Sequence, residues 1–191
     1  MKNIEKTVYE NTEKRRNAGE NEVNMPKRTT LLQDIGQLLI KIVFIGVVFI
    51  LLFTFLFGIT QVTDASMAPS IKEGDMAVFY RLDKKYVASD VLTLEYDGKK
   101  QIRRVVAVAG DVVDVTEDGL VINGAVVQEL GIYEHTLRYT EGIALPITVG
   151  PGQIFVLGDG RREALDSRMY GAVNIQDTLG KLMTVVRRRN M

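Results

Sequence analysis

The chain has 191 residues, of which 46% are hydrophobic, and its 24 basic and 24 acidic residues give a formal net charge of zero. This length suits one ordinary domain with an appendage. The absence of cysteine excludes disulfides, thiol nucleophiles and cysteine-ligated zinc, and the single histidine, His135, excludes a multi-histidine metal site. Zero net charge offers no basic field that would attract nucleic acid. The remaining classes are a hydrolase without thiol or metal, a binding module and a membrane protein.

The N-terminal third divides into a polar and an apolar segment. Residues 1–41 contain eight basic and six acidic residues, and we predict a disordered tail because they hold too few apolar side chains for a core. Residues 42–63 contain no charged residue. Within them, residues 42–59 are 18 positions long, about the minimum for crossing a hydrocarbon core of roughly 30 Å.

Three interpretations compete for residues 42–63. A cleavable signal peptide has a shorter apolar run nearer the N-terminus, although Thr63-Asp64-Ala65 has the spacing of a cleavage site. A buried core helix is rarely apolar on all sides. A permanent transmembrane anchor fits best. Lys27, Arg28 and Lys41 precede it, so the positive-inside rule predicts a cytoplasmic N-terminus and an extracytoplasmic C-terminal domain in the cell membrane.

Residues 64–191 are predicted to form one mainly β domain, a strongly bent sheet or barrel. Glu117-Asp118-Gly119 and Asn123-Gly124 each separate apolar runs and are typical of hairpin connections. Helical periodicity is absent apart from a short turn at 175–179. The predicted strands are residues 76–82, 91–96, 102–109, 112–116, 120–122, 125–128, 154–157 and 182–187.

Three segments of this domain carry the residues suited to chemistry. Residues 64–70 present Ser66 in a turn made rigid by Pro69. Residues 102–111 form a strand that ends in a Gly-Asp turn, and residues 156–171 place acids and arginines in a loop after another strand. In this order, after one anchor, the segments resemble the type I signal peptidases, the membrane serine proteases that remove signal peptides from exported proteins.

The final motif of that family carries the most specific part of the resemblance. Asp166-Ser167-Arg168 followed by Gly171 reproduces its second half. The single anchor and compact domain resemble the Gram-positive branch. The form of this final motif in the chain, which begins Gly158-Asp159-Gly160, resembles that of the signal-peptidase-like proteins associated with sortase-assembled pili.

The resemblance implies roles for individual residues. Ser66 takes the nucleophile position, and Asp159, Asp166 and Arg168 support the site. Met67 is assigned to substrate binding, together with Pro69. The family implies no cofactor and no metal. The implied partners are secreted or membrane-anchored precursor proteins and the lipid bilayer, with pilins or the sortase machinery as the narrower possibility, and not nucleic acid.

The sequence departs from the family where proton transfer takes place. In the family, serine attacks while a neutral lysine accepts its proton. Here Arg103 stands at the lysine position, and a guanidinium with a pKa above about 12 has no lone pair to accept a proton. Ala164 replaces the serine that orients the lysine. Asp64 stands near the oxyanion hole, where a carboxylate cannot donate a hydrogen bond.

Other residues are candidates for the catalytic base. The pair Lys99 and Lys100 fits a solvated turn, and His135 fits a surface or core histidine. Asp64 is close enough to Ser66 to act if the membrane interface raises its pKa. Lys72 and Lys181 have no motif support. None of them is favoured.

Two functions are therefore predicted. The first is a membrane-bound serine endopeptidase that removes signal peptides from exported precursors. The alternative is a catalytically impaired relative that binds extended precursor peptides, for example from a pilin, as an assembly factor.

Overall fold

A computed structural model describes residues 31–187. Two compact units are distinguished, residues 1–48 and residues 49–191. The described part of the first unit is helical, and it belongs to the helix α1, Leu31–Leu56. At about 1.5 Å per residue, the 26 residues of α1 extend about 39 Å. The length and composition of α1 are sufficient to cross a membrane.

The bounds of α1 differ from those of the predicted anchor. The helix already includes Leu31, the first described residue, within the predicted polar tail, and Asp34 and Lys41 lie on helical turns that are otherwise rich in leucine. It ends at Leu56, and Phe57–Gln61 form a β-strand instead of the end of the anchor. The prediction of a disordered tail over residues 1–30 lies outside the described residues. None of the residues of α1 is buried, which argues against a core helix.

Eleven strands form two antiparallel sheets in the described chain, and the predicted mainly β fold is confirmed. The first sheet has the order β1-β2-β11-β3-β4-β9-β10, and the second has the order β7-β6-β5-β8. The strands are β1 (Phe57–Gln61), β2 (Met76–Tyr80), β3 (Val91–Tyr96), β4 (Lys99–Val108), β5 (Val112–Thr116), β6 (Gly119–Ile122), β7 (Ala125–Val126), β8 (Ile147–Thr148), β9 (Gln153–Leu157), β10 (Val173–Asn174) and β11 (Thr178–Val186).

Most of the predicted strands and both predicted hairpins are present. The strands β3 and β5 have the predicted bounds. Asn123 and Gly124 have φ angles of 53° and 82°, the left-handed conformation that a two-residue hairpin needs, and they join β6 to β7. A 3-10 turn, Ile175–Asp177, lies within the predicted helical turn. The short strands β8 and β10 and the four-residue helix α2, Ser167–Tyr170, were not predicted.

Buried apolar side chains form three clusters. One of them contains Val62, Met67, Ile71, Ala77 and Ile102, and it therefore joins the segment after β1 to strands β2 and β4. This cluster underlies the segment that carries Ser66. Met67 is fully buried within it. Its contact with substrate remains a prediction.

Gly180 provides a test of the sheet register. A Cβ at Gly180 would lie 2.2 Å from the carbonyl oxygen of Tyr80, and its φ of +147° is unfavourable for other residues. We expect Gly180→Ala to lower the free energy of unfolding by at least about 2 kcal/mol. The control Gly98→Ala, at φ +71° with open space around it, should cost about 1 kcal/mol. Urea unfolding of the full-length chain in detergent measures both, and equal losses would contradict the register.

Candidate active site

The backbone of Ser66 lies against the loop that follows β9. Ser66 is buried, and its carbonyl oxygen accepts a hydrogen bond from the amide of Gly160 at 2.9 Å. A Cβ at Gly158 would lie 2.5 Å from the same oxygen, and a Cβ at Gly160 would lie 3.0 Å from the carbonyl oxygen of Ala65. A side chain at Gly158 would therefore collide with the Ser66 segment, and one at Gly160 would be tight against it, so the two glycines allow the two segments to approach this closely.

The guanidinium of Arg103 is fully buried and held on several sides. Its Nε and Nη2 donate to the carbonyl oxygen of Leu165 at 3.0 and 2.9 Å, and Nη1 donates to the carbonyl oxygen of Ile102 at 2.6 Å. Nη2 also lies 3.7 Å from a carboxylate oxygen of Asp64. Arg103 is therefore a fixed cation, and its guanidinium has no lone pair with which to accept a proton.

Asp64 connects this cation to the candidate nucleophile. Its Oδ1 accepts a hydrogen bond from the amide of Ser66 at 3.1 Å, while its Oδ2 faces Arg103. Asp64 thus binds the amide of Ser66 and not its hydroxyl. The amide of Ser66 already has a negatively charged acceptor, so it is not free to stabilise an oxyanion.

The other candidates for the catalytic base contact different groups. None of them contacts Ser66 in the described chain. Lys99 and Lys100 are exposed opposite Tyr96 and Glu95, and Lys72 is exposed in the turn before β2. Lys181 pairs with Asp90 at 2.7 Å. His135 Nε2 lies 2.7 Å from the carbonyl oxygen of Glu117.

Asp166 and Arg168 form a buried ion pair beneath the site. Two guanidinium nitrogens of Arg168 donate to the two carboxylate oxygens of Asp166 at 2.9 and 2.8 Å. Asp166 also accepts the amide of Gly158 at 3.1 Å, and Ser167 Oγ accepts the amide of Val156 at 3.0 Å. The motif therefore ties α2 to the end of β9 and fixes the start of the loop that contacts Ser66.

Arg168 also fixes the far end of that loop. It donates to the carbonyl oxygen of Arg161 at 2.7 Å, and its guanidinium carbon lies 4.2 Å from the centre of the Tyr139 ring. The hydroxyl of Tyr139 in turn donates to the carbonyl oxygen of Ala164 at 2.9 Å. Loop 158–168 is consequently held at several points by one buried guanidinium.

Asp159 is held by Arg104. Nε and Nη2 of Arg104 donate to its two carboxylate oxygens at 2.8 and 2.6 Å, and the Asp159 side chain is fully buried. The hydrogen bond to Asp159 raises the pKa of Arg104. The pair is a fixed structural link between β4 and the loop.

A second attachment of the loop was missed from the sequence. The fully buried guanidinium of Arg161 donates to both carboxylate oxygens of Glu129, to the hydroxyl of Thr136 and to the carbonyl oxygen of Gly158. Glu129 and Thr136 belong to residues 129–139, a segment without regular structure that we call the strap. No periodicity marks the strap, and the only signal was Arg161 itself, directly after Gly158-Asp159-Gly160.

Tyr170 lies beside the fixed cation. Burial raises the pKa of its phenol, and the positive charge of Arg103 only partly offsets this effect. Its hydroxyl has no hydrogen-bond partner among the described residues. The ring stacks on Tyr96 at a centroid distance of 4.3 Å. Tyr170 therefore closes the apolar side of the Arg103 site.

A cavity of about 500 Å³ adjoins the segment that carries Ser66. Its walls come from that segment, from the loop after β9 and from the strap. They are formed by Ala65, Ala68, Pro69, Tyr133, Glu134, Asp159, Gly160, Arg162 and Glu163. Pro69, which the sequence assigns to substrate binding, is exposed at this cavity. Within residues 31–187, no cluster of three or more His, Asp or Glu side chains is arranged to hold a metal ion.

The sequence matches the family described as signal peptidase, peptidase S26, over residues 35–187. The chain belongs to the signal peptidase family. It is 30% identical to signal peptidase I of Bacillus licheniformis over 142 residues, which cover 68% of this chain and 76% of that protein. It is 29% identical to signal peptidase I S of Bacillus subtilis (strain 168) over 157 residues, which cover 76% of this chain and 82% of that protein.

A crystal structure of a signal peptidase I from Enterococcus faecalis V583 is also similar, with a TM-score of 0.44 and 24% identity, covering 52% of this chain and 97% of that one. Family membership supports a serine peptidase activity of signal peptidase I type and implies exported precursors as substrates. The apolar helix α1 and the family together indicate a single-pass membrane protein.

The attachment of the strap can be tested through Glu129. Glu129→Ala leaves the buried Arg161 guanidinium without its carboxylate, so we expect the free energy of unfolding to fall by roughly 3–5 kcal/mol. The control Glu141→Ala, at an exposed position, should change it by less than about 0.5 kcal/mol. Urea unfolding compares the two variants, and similar small effects would mean that the ion pair does not hold the strap.

Tyr170 makes a prediction about alkaline pH. Because its folded pKa is raised above the ordinary value of 10.0, its contribution to stability is complete below pH 10 and is lost as the pH rises further. We expect Tyr170→Phe to retain the stability of the wild type at pH 7 and to lose less of it above pH 10. The control Tyr133→Phe, at an exposed ring, should follow the wild-type profile. Identical alkaline profiles for wild type and Tyr170→Phe would contradict the prediction.

Proposed function

We propose that this signal-peptidase-family protein binds extended segments of exported precursors at Ser66 and has lost efficient Ser–Lys cleavage. The observation that carries the proposal is the chain of contacts from Arg103 through Asp64 to the amide of Ser66. In this chain of contacts, Arg103 stands at the position of the lysine base. The Ser66 amide, which would donate to the oxyanion, already donates to Asp64.

The chemical cost of this arrangement is large at both steps of acyl transfer. Attack by Ser66 needs a base, and a positioned base contributes roughly 10²–10⁴ in rate. The tetrahedral intermediate needs donors at its oxyanion, and one such donor contributes roughly 10²–10³. Arg103 cannot serve as the base, and Asp64 both accepts the amide of Ser66 and places a negative charge beside it. These effects act on one site and are not additive, but each alone slows cleavage severely.

Peptide binding does not depend on either group. An extended peptide binds by pairing its backbone with a free strand edge. The strand β1 is the end strand of the seven-stranded sheet, and the chain leads from it directly into the segment that carries Ser66. The ion pairs Asp166–Arg168 and Arg104–Asp159 keep the loop after β9 in place against that segment. These features support retention of the precursor site without its proton-transfer chemistry.

The proposal extends to the partners and to the orientation in the membrane. The basic residues Lys27, Arg28 and Lys41 support a cytoplasmic N-terminus and an extracytoplasmic domain. A precursor that remains anchored in the bilayer would then present its extended segment near the end of α1. Pilins and other substrates of the sortase machinery belong to this class of anchored precursors.

The second candidate is the serine endopeptidase itself, which removes signal peptides. The retained Ser66, the buried pair Asp166–Arg168 and the relatives that are signal peptidases favour it. This candidate requires a base outside the contacts seen in the described residues, such as a group on the precursor.

Cleavage and binding of a signal-peptide-bearing precursor by full-length protein in lipid vesicles separate the candidates. We expect wild type and Ser66→Ala to bind the precursor equally and neither to cleave it. The combined change Asp64→Ser, Arg103→Lys and Ala164→Ser restores the family's residues, and we expect it to gain cleavage. Adding Ser66→Ala to that variant should abolish the gain. Cleavage by wild type that Ser66→Ala removes would establish the endopeptidase and overturn the proposal.

A further inference from the structure

The strap contributes a wall to the cavity beside Ser66. Tyr133 and Glu134 line the cavity from the strap, and Ala65 and Ala68, close to Ser66 in the sequence, line it from the Ser66 segment. The strap is fixed by the Arg161–Glu129 pair, so its two cavity residues have a defined position relative to the Ser66 segment. This wall is continuous with the precursor site proposed above.

Tyr133 is unusual for an aromatic residue on a fixed segment. Its side chain is 84% exposed although it borders a cavity. The small residues Ala65 and Ala68 leave the space in front of it open. The volume of about 500 Å³ is larger than a small side chain requires, so the cavity has room for a long one.

The charges around this cavity favour a cation. The charge of Asp159 is matched by its pairing with Arg104. Glu134 uses one carboxylate oxygen to accept the backbone amide of Arg162 at 3.0 Å, so its negative charge is not consumed by that contact. Glu134 and Glu163 together outweigh the single cation Arg162. An aromatic face together with net negative charge binds Lys or Arg side chains.

We infer that this cavity selects a Lys or Arg side chain in the extended precursor segment held at Ser66, with Tyr133 as the specificity-determining residue. The inference rests on the proposed function, because the same precursor must already lie along the Ser66 segment. It adds to that function a requirement for a cationic side chain in the precursor. The aliphatic stem packs on the Tyr133 ring, and the cationic end lies near Glu134 and Glu163.

Peptide binding to the full-length protein in detergent micelles tests the inference. The probes are fluorescent extended peptides built from small residues. A single Lys, norleucine or Glu is placed in turn at each position. At one position we expect Lys to bind about tenfold more tightly than norleucine, which has the four-carbon chain of lysine without its amino group. Glu should bind least well, and the preference for Lys should weaken at high ionic strength.

Variants assign the preference to the cavity. Tyr133→Ala and the double change Glu134→Gln, Glu163→Gln should each abolish the difference between Lys and norleucine, whereas Tyr133→Phe should retain it. The matched control is Leu130→Ala, because Leu130 lies on the same strap and is fully exposed but does not line this cavity. It should retain the preference.

The outcomes distinguish this inference from the proposed function. Peptides that bind equally well with Lys, norleucine or Glu overturn the inference and leave the proposed function intact. A Lys preference that survives Tyr133→Ala and the double Gln change also overturns it. If no peptide binds the wild type, the proposed function itself fails, and the inference fails with it.

Discussion

The candidate site depends on the burial of the Arg168 guanidinium against Asp166. A buried ion pair is stable only when its remaining donors and acceptors are satisfied. Here Arg168 also donates to the carbonyl oxygens of Leu137 and Arg161, and Asp166 also accepts the amide of Gly158. Satisfying these groups forces the end of β9, the following loop and the strap to meet at one point. The Ser66 segment then has a fixed surface to pack against.

Under the proposed function, Arg103 keeps the packing of the site while the proton-transfer chemistry is lost. A lysine would place one nitrogen in this pocket, whereas the planar guanidinium reaches the carbonyl oxygens of Leu165 and Ile102 and the carboxylate of Asp64. The buried cation is thereby compensated without the serine that Ala164 replaces. The structural demand of the position, a satisfied buried cation between β4 and the loop after β9, is met.

Local signals predicted the strands and failed where distant residues decide the structure. The strand β3 and the Asn123-Gly124 hairpin follow from apolar runs and turn chemistry, so the sequence was sufficient for them. The strand β1 was assigned to the anchor because Phe57–Gln61 continue an apolar run, and only pairing with β2 distinguishes strand from helix there. The strap has no periodicity and is positioned by Arg161, which lies far along the chain. Family motifs identified Ser66 and Arg103, but not the contact of Asp64 with the amide of Ser66.

That contact makes Asp64 and Arg103 a coupled pair whose effects on function cannot be separated by single substitutions. A lysine placed at position 103 alone would face the Asp64 carboxylate, and a nearby negative charge favours the protonated amine. The lysine would then be held in the form that cannot act as a base. Removing Asp64 alone would free the amide of Ser66 but take from the buried Arg103 the carboxylate that faces it. Arg103→Lys and the removal of Asp64 each correct the defect that the other leaves. The effect of the two changes together on cleavage should therefore exceed the sum of their single effects. Arg103 and Asp64 therefore act as one unit in the site's electrostatics.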